Sequence, residues 1–419
     1  MLAAVATHRT HRMLTRRHLL CCGAAAGLFT SLAGPARAGL LNPCRGGVPE
    51  HLQPLLARTF DGLDPTQLWD VHTHLLGTGD SGSGCTVNAQ LSQWWHPVEM
   101  LRKRFILNAA CVPADAPSVD RAYVERLRAL ADDFPAGAKW MLFAFDQACD
   151  ASGRPDAAKT TFHVPNTYAA RIAAEHAQRF AWVASIHPYR PDALARLDAA
   201  LAGGAVALKW LPSSMAIDLR DPRLRPFYAR LAATRLPVIV HCGEERAVPG
   251  AGRDELGNPL LVRAPLEQGV RIVIAHCASL GTALDLDRPR PREAPAFDLF
   301  ARLMDEDWGD RLMGDVSVVM QANRQPEVAR TLFTREDWHP RLLHGSDYPL
   351  PGIPAAVRLP ALVSAGLLDA ADAPGLAQLR EHNPLLFDLA LKRLARWRGA
   401  GFTAPVFATQ PHFERPAVA

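Results

Sequence analysis

The sequence predicts an α/β protein and, within that class, an eight-stranded (β/α) barrel. Short apolar runs rich in Val, Ile and Leu alternate with stretches of helical periodicity along the chain. Runs of this kind are typical of parallel strands that are buried on both faces. Eight alternating units favour a closed barrel. The alternative is an open doubly wound sheet, but no glycine-rich phosphate turn follows an early strand.

The order of strands and helices places one long insertion after the first strand. The predicted strands cover residues 68–74, 139–145, 181–187, 205–210, 237–242, 271–276, 313–319 and 341–347. A Gly/Ser loop follows the first of them, and the apolar spacing within 93–133 predicts mostly helix. Residues 105–112 are apolar enough to form a ninth strand instead. We therefore expect a helical insertion between strands 1 and 2.

The first 38 residues have the pattern of a twin-arginine export signal. Arg16 and Arg17 precede a weakly apolar stretch, and Ala36-Arg37-Ala38 provides small residues for cleavage. A membrane anchor is the alternative, but the stretch is short and rich in Gly and Ala. We expect a periplasmic protein, with a lead-in over 39–67, the barrel over 68–398 and a tail over 399–419 that packs on the outside.

The net positive charge of the chain comes from the arginines of this signal. The formal net charge is +4, and the first 38 residues contain five arginines and no acidic residue, which leaves −1 for the remainder. Nucleic acid and, once the signal is removed, membrane surfaces are therefore not expected partners. A small-molecule substrate is expected, and an oligomer remains possible.

The six cysteines after the signal are scattered without a CxxC pair, so a zinc ribbon is excluded and no disulfide is assigned.

Polar side chains stand at the ends of five of the predicted strands. In a parallel barrel the carboxyl ends of the strands form one rim, where the chemistry is placed. Residues two apart on a strand face the same side, so the two histidines of the first strand project together. Imidazole and carboxylate groups are metal ligands. The residues predicted to form one metal site are His72, His74, Lys209, His241, His276 and Asp347.

These motifs resemble the amidohydrolase superfamily. The resemblance is carried by Asp70-Val71-His72-Thr73-His74, Val240-His241, Ala275-His276, His344-Gly345-Ser346-Asp347-Tyr348-Pro349 and His382-Asn383-Pro384-Leu385. The resemblance spans roughly residues 68–390, and its motifs are specific when they are taken together. It is nearest to the branch of metal-dependent barrel hydrolases that also contains non-oxidative decarboxylases. The long insertion after strand 1 departs from the compact members of that branch.

The resemblance implies a role for each residue of the site. His72, His74 and Asp347 are expected to bind a first metal ion. His241 is expected to bind the same ion or a second one. His276 is expected either to complete the second ion's ligands or to act as an acid/base group. Lys209 matches the position of a carboxylated lysine that bridges two ions, although an unmodified ammonium is equally open. One ion and two ions both remain possible.

The expected chemistry follows from these ligands. Imidazoles and a carboxylate suit zinc, and also manganese or iron. A divalent ion makes water more acidic and polarises a carbonyl, and Asp347 is the expected base. We predict a hydrolase of an amide, lactone or related carbonyl compound. A metal-dependent decarboxylase that uses His276 is the alternative, and a non-catalytic secreted binding barrel is the weaker one.

Three residues that follow strands are predicted to contact the substrate. They are Arg190, Trp210 and Asn323. The alternative for each of them is a surface salt bridge or an anchor for its loop. A guanidinium in such a position favours a substrate that carries a carboxylate, because the two groups form paired hydrogen bonds.

Overall fold

The computed structural model describes residues 41–88, 97–113, 115–246, 248 and 250–414. The predicted export signal lies outside these residues. The main sheet has eight parallel strands that pair in chain order. They are β1 (Trp69–His74), β2 (Lys139–Phe143), β3 (Phe180–Ala184), β4 (Ala207–Trp210), β5 (Val238–His241), β6 (Ile272–Ala275), β7 (Leu312–Asp315) and β8 (Leu342–Leu343). The predicted (β/α)8 fold is confirmed.

The sheet closes where the chain after β8 runs beside β1. The amide of Val71 donates to the carbonyl of His344 at 3.0 Å, and the amide of Asp347 donates to the carbonyl of His72 at 2.7 Å. Gly345 permits this approach, because a Cβ on it would lie 2.8 Å from the Cβ of His72. The short β8 is therefore completed by an irregular segment that ends at the rim.

Helices surround the sheet and separate most of its strands. They are α1 (Gln53–Phe60), α2 (Pro97–Ala109), α3 (Val119–Asp132), α4 (Asn166–Glu175), α5 (Ala193–Ala202), α6 (Pro212–Met215), α7 (Arg225–Thr234), α8 (Arg263–Glu267), α9 (Ala296–Asp305), α10 (Pro326–Thr334), α11 (Leu359–Ser364), α12 (Ala373–His382) and α13 (Pro384–Leu394). Within the described ranges, none of these helices combines the length and the apolar character of a membrane span.

The insertion after β1 contains the two helices α2 and α3, so residues 105–112 include no ninth strand. A buried carboxylate fixes the Gly/Ser loop that precedes them. Asp120 accepts hydrogen bonds from the amide of Thr78 at 2.6 Å and from the hydroxyl of Ser83 at 2.6 Å. Asp80 in turn accepts from the amide of Val119 at 2.7 Å, at the start of α3. The loop is thereby held against the rim of the barrel.

The barrel interior is filled with apolar side chains below the rim. Val71, Phe143, Ile239 and Val273 belong to this inner cluster, and the alternate strand residues pack outward against the helices. Phe413, from the C-terminal tail, joins the inner cluster and is almost fully buried. Phe402, Val406 and Phe407 of the same tail pack in the outer apolar layer, so the tail contacts both the outside of the barrel and its interior.

A disulfide joins the lead-in to the insertion. Cys44 and Cys111 are bonded across a sequence separation of 67 residues. Asn42 and Asn108 reinforce the junction through two hydrogen bonds, from the amide of Asn42 at 2.9 Å and from the side-chain amide of Asn108 at 3.1 Å. The bond therefore anchors the chain directly after α2.

We expect loss of this disulfide to lower the free energy of unfolding by about 2–4 kcal/mol, because the unfolded chain regains the entropy of an open loop. The measurement is denaturant unfolding of the double variant Cys44→Ser, Cys111→Ser beside the unaltered protein. Reductant should destabilise the unaltered protein and leave the double variant unchanged. Equal effects of reductant on both proteins would contradict the assignment.

Candidate metal centre

The six predicted site residues converge at the carboxyl rim of the barrel. His72, His74, Lys209, His241, His276 and Asp347 all line one cavity of about 400 Å³. Five of them lie in the last three residues of a strand or directly after it, and Asp347 lies in the irregular segment that follows β8. The strand ends therefore bring together residues that are up to 275 positions apart in the chain.

Asp347 is the centre of the arrangement. Its Oδ1 lies 2.9 Å from Nε2 of His74 and 3.5 Å from Nε2 of His72. Its Oδ2 lies 3.9 Å from Nε2 of His276. The ligand atoms of His72, His276 and Asp347 all lie within 4.8 Å of one another. Three potential ligand atoms thus surround a space of the size that a single cation needs.

One buried carboxylate determines which nitrogen two of the histidines present. Oδ2 of Asp315 lies 2.9 Å from Nδ1 of His72. Oδ1 of Asp315 accepts from the hydroxyl of Ser317, whose oxygen lies 2.7 Å from Nδ1 of His276. A carboxylate can only accept, so both Nδ1 atoms carry the proton. Both Nε2 atoms are left with a lone pair directed away from Asp315, as metal-binding imidazoles require.

Burial keeps these imidazoles neutral. His72 and His276 are 1% and 6% exposed. Desolvation holds the pKa of both side chains well below the ordinary value, and neighbouring positive groups add to the effect. A protonated imidazole cannot bind a metal, so this environment favours the ligand form near neutral pH.

His241 and Lys209 form the other side of the site. In the described part of the chain, Nε2 of His241 and Nζ of Lys209 are buried and have no hydrogen-bond partner. Oε2 of Glu245 lies 3.3 Å from Nε2 of His241. Nζ of Lys209 lies 5.0 Å from the centre of the Phe143 ring, and burial lowers the pKa of the lysine. Buried polar atoms are rarely left unpaired.

Backbone strain is concentrated at two of the site residues. His276, Cys277 and Ala278 follow one another with φ of 55°, 50° and 48°, and Asp347 has φ of 60°. Left-handed conformations cost free energy in non-glycine residues and persist where the surroundings enforce them. Asp315 provides such a restraint, since its Oδ1 also accepts from the amide of His276 at 3.1 Å. The strain turns the His276 imidazole toward the cavity.

These observations fit a divalent cation. The donor set consists of neutral imidazoles and a carboxylate, and two imidazoles have their outer nitrogen already bonded. Among the described residues, Nζ of Lys209 lacks a hydrogen-bond partner, and Nε2 of His241 has only the carboxylate of Glu245 nearby. Imidazole and carboxylate donors suit zinc and related ions. The described residues could thus hold one ion around Asp347, with His241 and Lys209 available to a second.

The three residues predicted to contact the substrate differ in whether they reach the cavity. Asn323 lines the cavity. Arg190 does not, because its guanidinium is bound to both carboxylate oxygens of Asp146 at 2.7 and 2.8 Å. Trp210 is fully buried and its indole nitrogen donates to the carbonyl of Ile186 at 2.8 Å. Trp210 alternates with Lys209 on β4 and therefore points to the helices, so neither Arg190 nor Trp210 is placed to bind a substrate.

Residues that the sequence analysis did not assign contribute to the site. Asp315 was included within a predicted strand over 313–319, but β7 ends at Asp315 itself. A polar residue after Leu312-Met313-Gly314 carries the same signal as the histidines at other strand ends. Glu245 and Arg324 line the cavity from the segments after β5 and β7. Only the folded loops show that these two side chains turn inward.

The chain belongs to the amidohydrolase family, whose profile matches residues 69–384. Members of this family bind divalent metals, and the chain is an enzyme of that superfamily. A comparison with the curated proteins finds no match.

Several solved structures are similar to this chain. An uncharacterised TIM-barrel protein from Bordetella bronchiseptica is 17% identical, with a TM-score of 0.46, over 74% of this chain and 99% of that chain. A zinc-bound amidohydrolase from Burkholderia multivorans is 14% identical, with a TM-score of 0.41, over 74% and 95%. 5-Carboxyvanillate decarboxylase from Sphingomonas paucimobilis is 13% identical, with a TM-score of 0.40, over 71% and 95%. Similarity at this level carries no argument about the reaction.

We expect the substitution Asp315→Asn to weaken metal binding roughly 10- to 100-fold, because an amide at this position can donate to Nδ1 of His72 and reverse its tautomer. Metal affinity is measured by competition with a chromogenic chelator. The matched control is Asp70→Asn, since this buried carboxylate accepts from the backbone amides of His72 and Ser346 and bonds no imidazole nitrogen among the described residues. Equal losses of affinity in the two variants would show that Asp315 does not act through the imidazoles.

Proposed function

We propose that this protein is a metal-dependent hydrolase that adds water to the carbonyl carbon of an amide, a lactone or a related small molecule. The observation that carries the proposal is the convergence of His72, His276 and Asp347 in an open cavity, with both imidazoles presenting Nε2. His74 and His241 add two further imidazoles within the same cavity. Membership of the amidohydrolase family supports this reaction class.

His72, His74 and Asp347 would hold a first ion, and His241 and His276 would hold that ion or a second one. Zinc is the proposed metal because imidazoles dominate the donor set. A divalent ion at this site would polarise the carbonyl oxygen of the substrate and lower the pKa of water.

Asp347 is the proposed proton carrier. In hydrolysis the oxygen of water bonds to the carbonyl carbon, the bond from that carbon to the leaving nitrogen or oxygen breaks, and one proton must move between them. Asp347 has two carboxylate oxygens at the centre of the site and is 4% exposed. It could accept the proton of water and deliver it to the leaving group without exchange with bulk solvent.

The chemical state of Lys209 is proposed to determine whether the site holds one ion or two. Its buried amine has no hydrogen-bond partner among the described residues, and desolvation lowers its pKa. The neutral amine is the form that can add carbon dioxide and release a proton, and the resulting carbamate would supply carboxylate-type oxygen ligands for a second ion. The alternative is an ammonium that remains near Asp315 and Asp347. A signal from labelled bicarbonate bound to the protein, observed by NMR, would identify the carbamate.

A metal-dependent decarboxylase is the second candidate. It is favoured by Arg324, a partly buried guanidinium that lines the cavity and could bind a carboxylate. In that reaction the bond between carbon and the carboxylate breaks, carbon dioxide leaves, and a proton takes its place on that carbon. His276 is the proposed acid/base group, and its Nε2 would first take this proton from solvent, because the resting imidazole carries its own proton on Nδ1. One ion and an unmodified Lys209 would favour the decarboxylase. A non-catalytic barrel is disfavoured, because the cavity at the strand ends is open and is not filled by side chains.

Export to the periplasm is part of the proposal. The paired arginines before a short apolar stretch support it. So does the disulfide between Cys44 and Cys111, since such bonds persist in oxidising compartments. A fusion of residues 1–38 to a reporter that requires the twin-arginine route would test it.

We expect the purified protein to contain one or two equivalents of a divalent metal, measured by elemental analysis. His72→Ala and Asp347→Asn should each lose most of that metal, because each removes a central ligand. His187→Gln is the matched control, since His187 is a buried histidine that bonds the carbonyl of Met215 at 2.7 Å and lies outside the cavity lining.

Chelation should abolish hydrolysis of any amide or lactone found to be a substrate, and added zinc should restore it. Metal retained at the level of the unaltered protein in both His72→Ala and Asp347→Asn would remove the assigned ligands and, with them, the proposed mechanism.

A further inference from the structure

Arg324 occupies the same cavity as the metal-binding residues and is held there by two neutral groups. Its Nε donates to the hydroxyl of Ser279 at 3.1 Å, and its Nη1 donates to the side-chain oxygen of Asn323 at 2.7 Å. A guanidinium has five N–H donors in one plane. These two bonds orient that plane and leave further donors for a ligand.

No carboxylate pairs with this guanidinium in the part of the chain that the structure describes, within an N···O distance of 4.0 Å. The arginine is partly withdrawn from solvent, and this desolvation lowers its pKa to about 10. Arg246, which lines the same cavity, is instead bound by both oxygens of Glu244 at 2.9 Å each. Asp347, Glu245 and Glu244 offset this desolvation only in part and from a distance. Among the described residues, Arg324 therefore lacks the direct carboxylate contact that Arg246 has.

The remaining wall of the cavity is largely apolar. Its side chains come from the insertion, from a short antiparallel strand pair formed by Thr86–Val87 and Phe162–His163, and from the loops of the barrel. They include Leu76, Val87, Ile106, Phe162, Leu280 and Leu350. Arg102 and Lys103, on α2, add further basic side chains to the lining. A ligand that fills this space exchanges water for apolar contacts, so its body must be apolar.

We propose that the substrate is a carboxylate with an apolar body, and that Arg324 binds this carboxylate by paired hydrogen bonds. The proposal rests on the proposed function and names its substrate class. A planar carboxylate matches the planar guanidinium, and the hydrogen bonds between the two groups replace those that each loses to water on burial. The carboxylate binds at Arg324, and the reacting carbonyl lies toward Asp347 in the same cavity. Neutral amides and lactones without such a group would be poor ligands.

The test compares a charged probe with its neutral isostere. Isothermal titration calorimetry measures the binding of 3-phenylpropionate and of 3-phenylpropionamide to the purified protein with its metal. We expect the acid to bind about tenfold more tightly than the amide, as a charge-assisted pair predicts. Arg324→Gln should bring the ratio close to one. Arg324→Lys should retain part of the preference, because it keeps the charge and loses the paired geometry.

Arg246→Gln is the matched control and should keep the full preference for the acid, because Arg246 is already bound by Glu244. Two outcomes overturn the proposal. Either the unaltered protein binds acid and amide equally, or Arg324→Gln keeps the preference, which would place the carboxylate elsewhere, for example on a metal ion.

Metal content and melting temperature are measured on the same samples. Arg324→Gln is expected to keep both, so a lost preference reflects the missing guanidinium. A preference that depends on Arg324 in a protein without metal would retain the carboxylate site and reject the metal-dependent hydrolase. A metal-loaded protein that binds the acid and the amide equally would retain the metal-dependent hydrolase and reject the carboxylate site at Arg324.

Discussion

The site depends on the hydrogen bonds that close the barrel between β1 and the chain after β8. The amide of Asp347 bonds the carbonyl of His72 at 2.7 Å, and the absence of a side chain on Gly345 lets the two backbones meet. This contact places a carboxylate from the end of the barrel beside the imidazoles from its beginning. Without closure, Asp347 and His74 would belong to opposite edges of an open sheet.

A second constraint acts through Asp315. This one carboxylate bonds Nδ1 of His72, bonds the hydroxyl of Ser317 that holds Nδ1 of His276, and restrains the left-handed backbone of His276. The tautomer and the direction of two imidazoles thus depend on a residue that does not line the cavity. The stability cost of burying the carboxylate is offset by the bonds that it accepts, and the result is a preorganised pair of donor nitrogens.

The insertion after β1 connects the site to the rest of the molecule. α2 supplies part of the apolar cavity wall, and the disulfide between Cys44 and Cys111 fixes the chain directly after it. Asp120 holds the loop that leads from β1 into the insertion. The residues at the strand ends are therefore bordered by a unit with its own anchors, and this unit forms part of the wall that a ligand would contact.

The sequence by itself determined the fold class and the candidate ligands at the strand ends, because the period of apolar residues and the position of polar residues after them are local properties. His72, His241 and Asp347 could be named for that reason. Asp315 was not recognised, since one run of residues does not show where pairing stops. Arg190 and Arg324 follow strands in the same way, yet one is neutralised by Asp146 and the other has no such partner in the described chain. Only tertiary structure decides this, because it depends on which distant carboxylate the folded loops bring within reach.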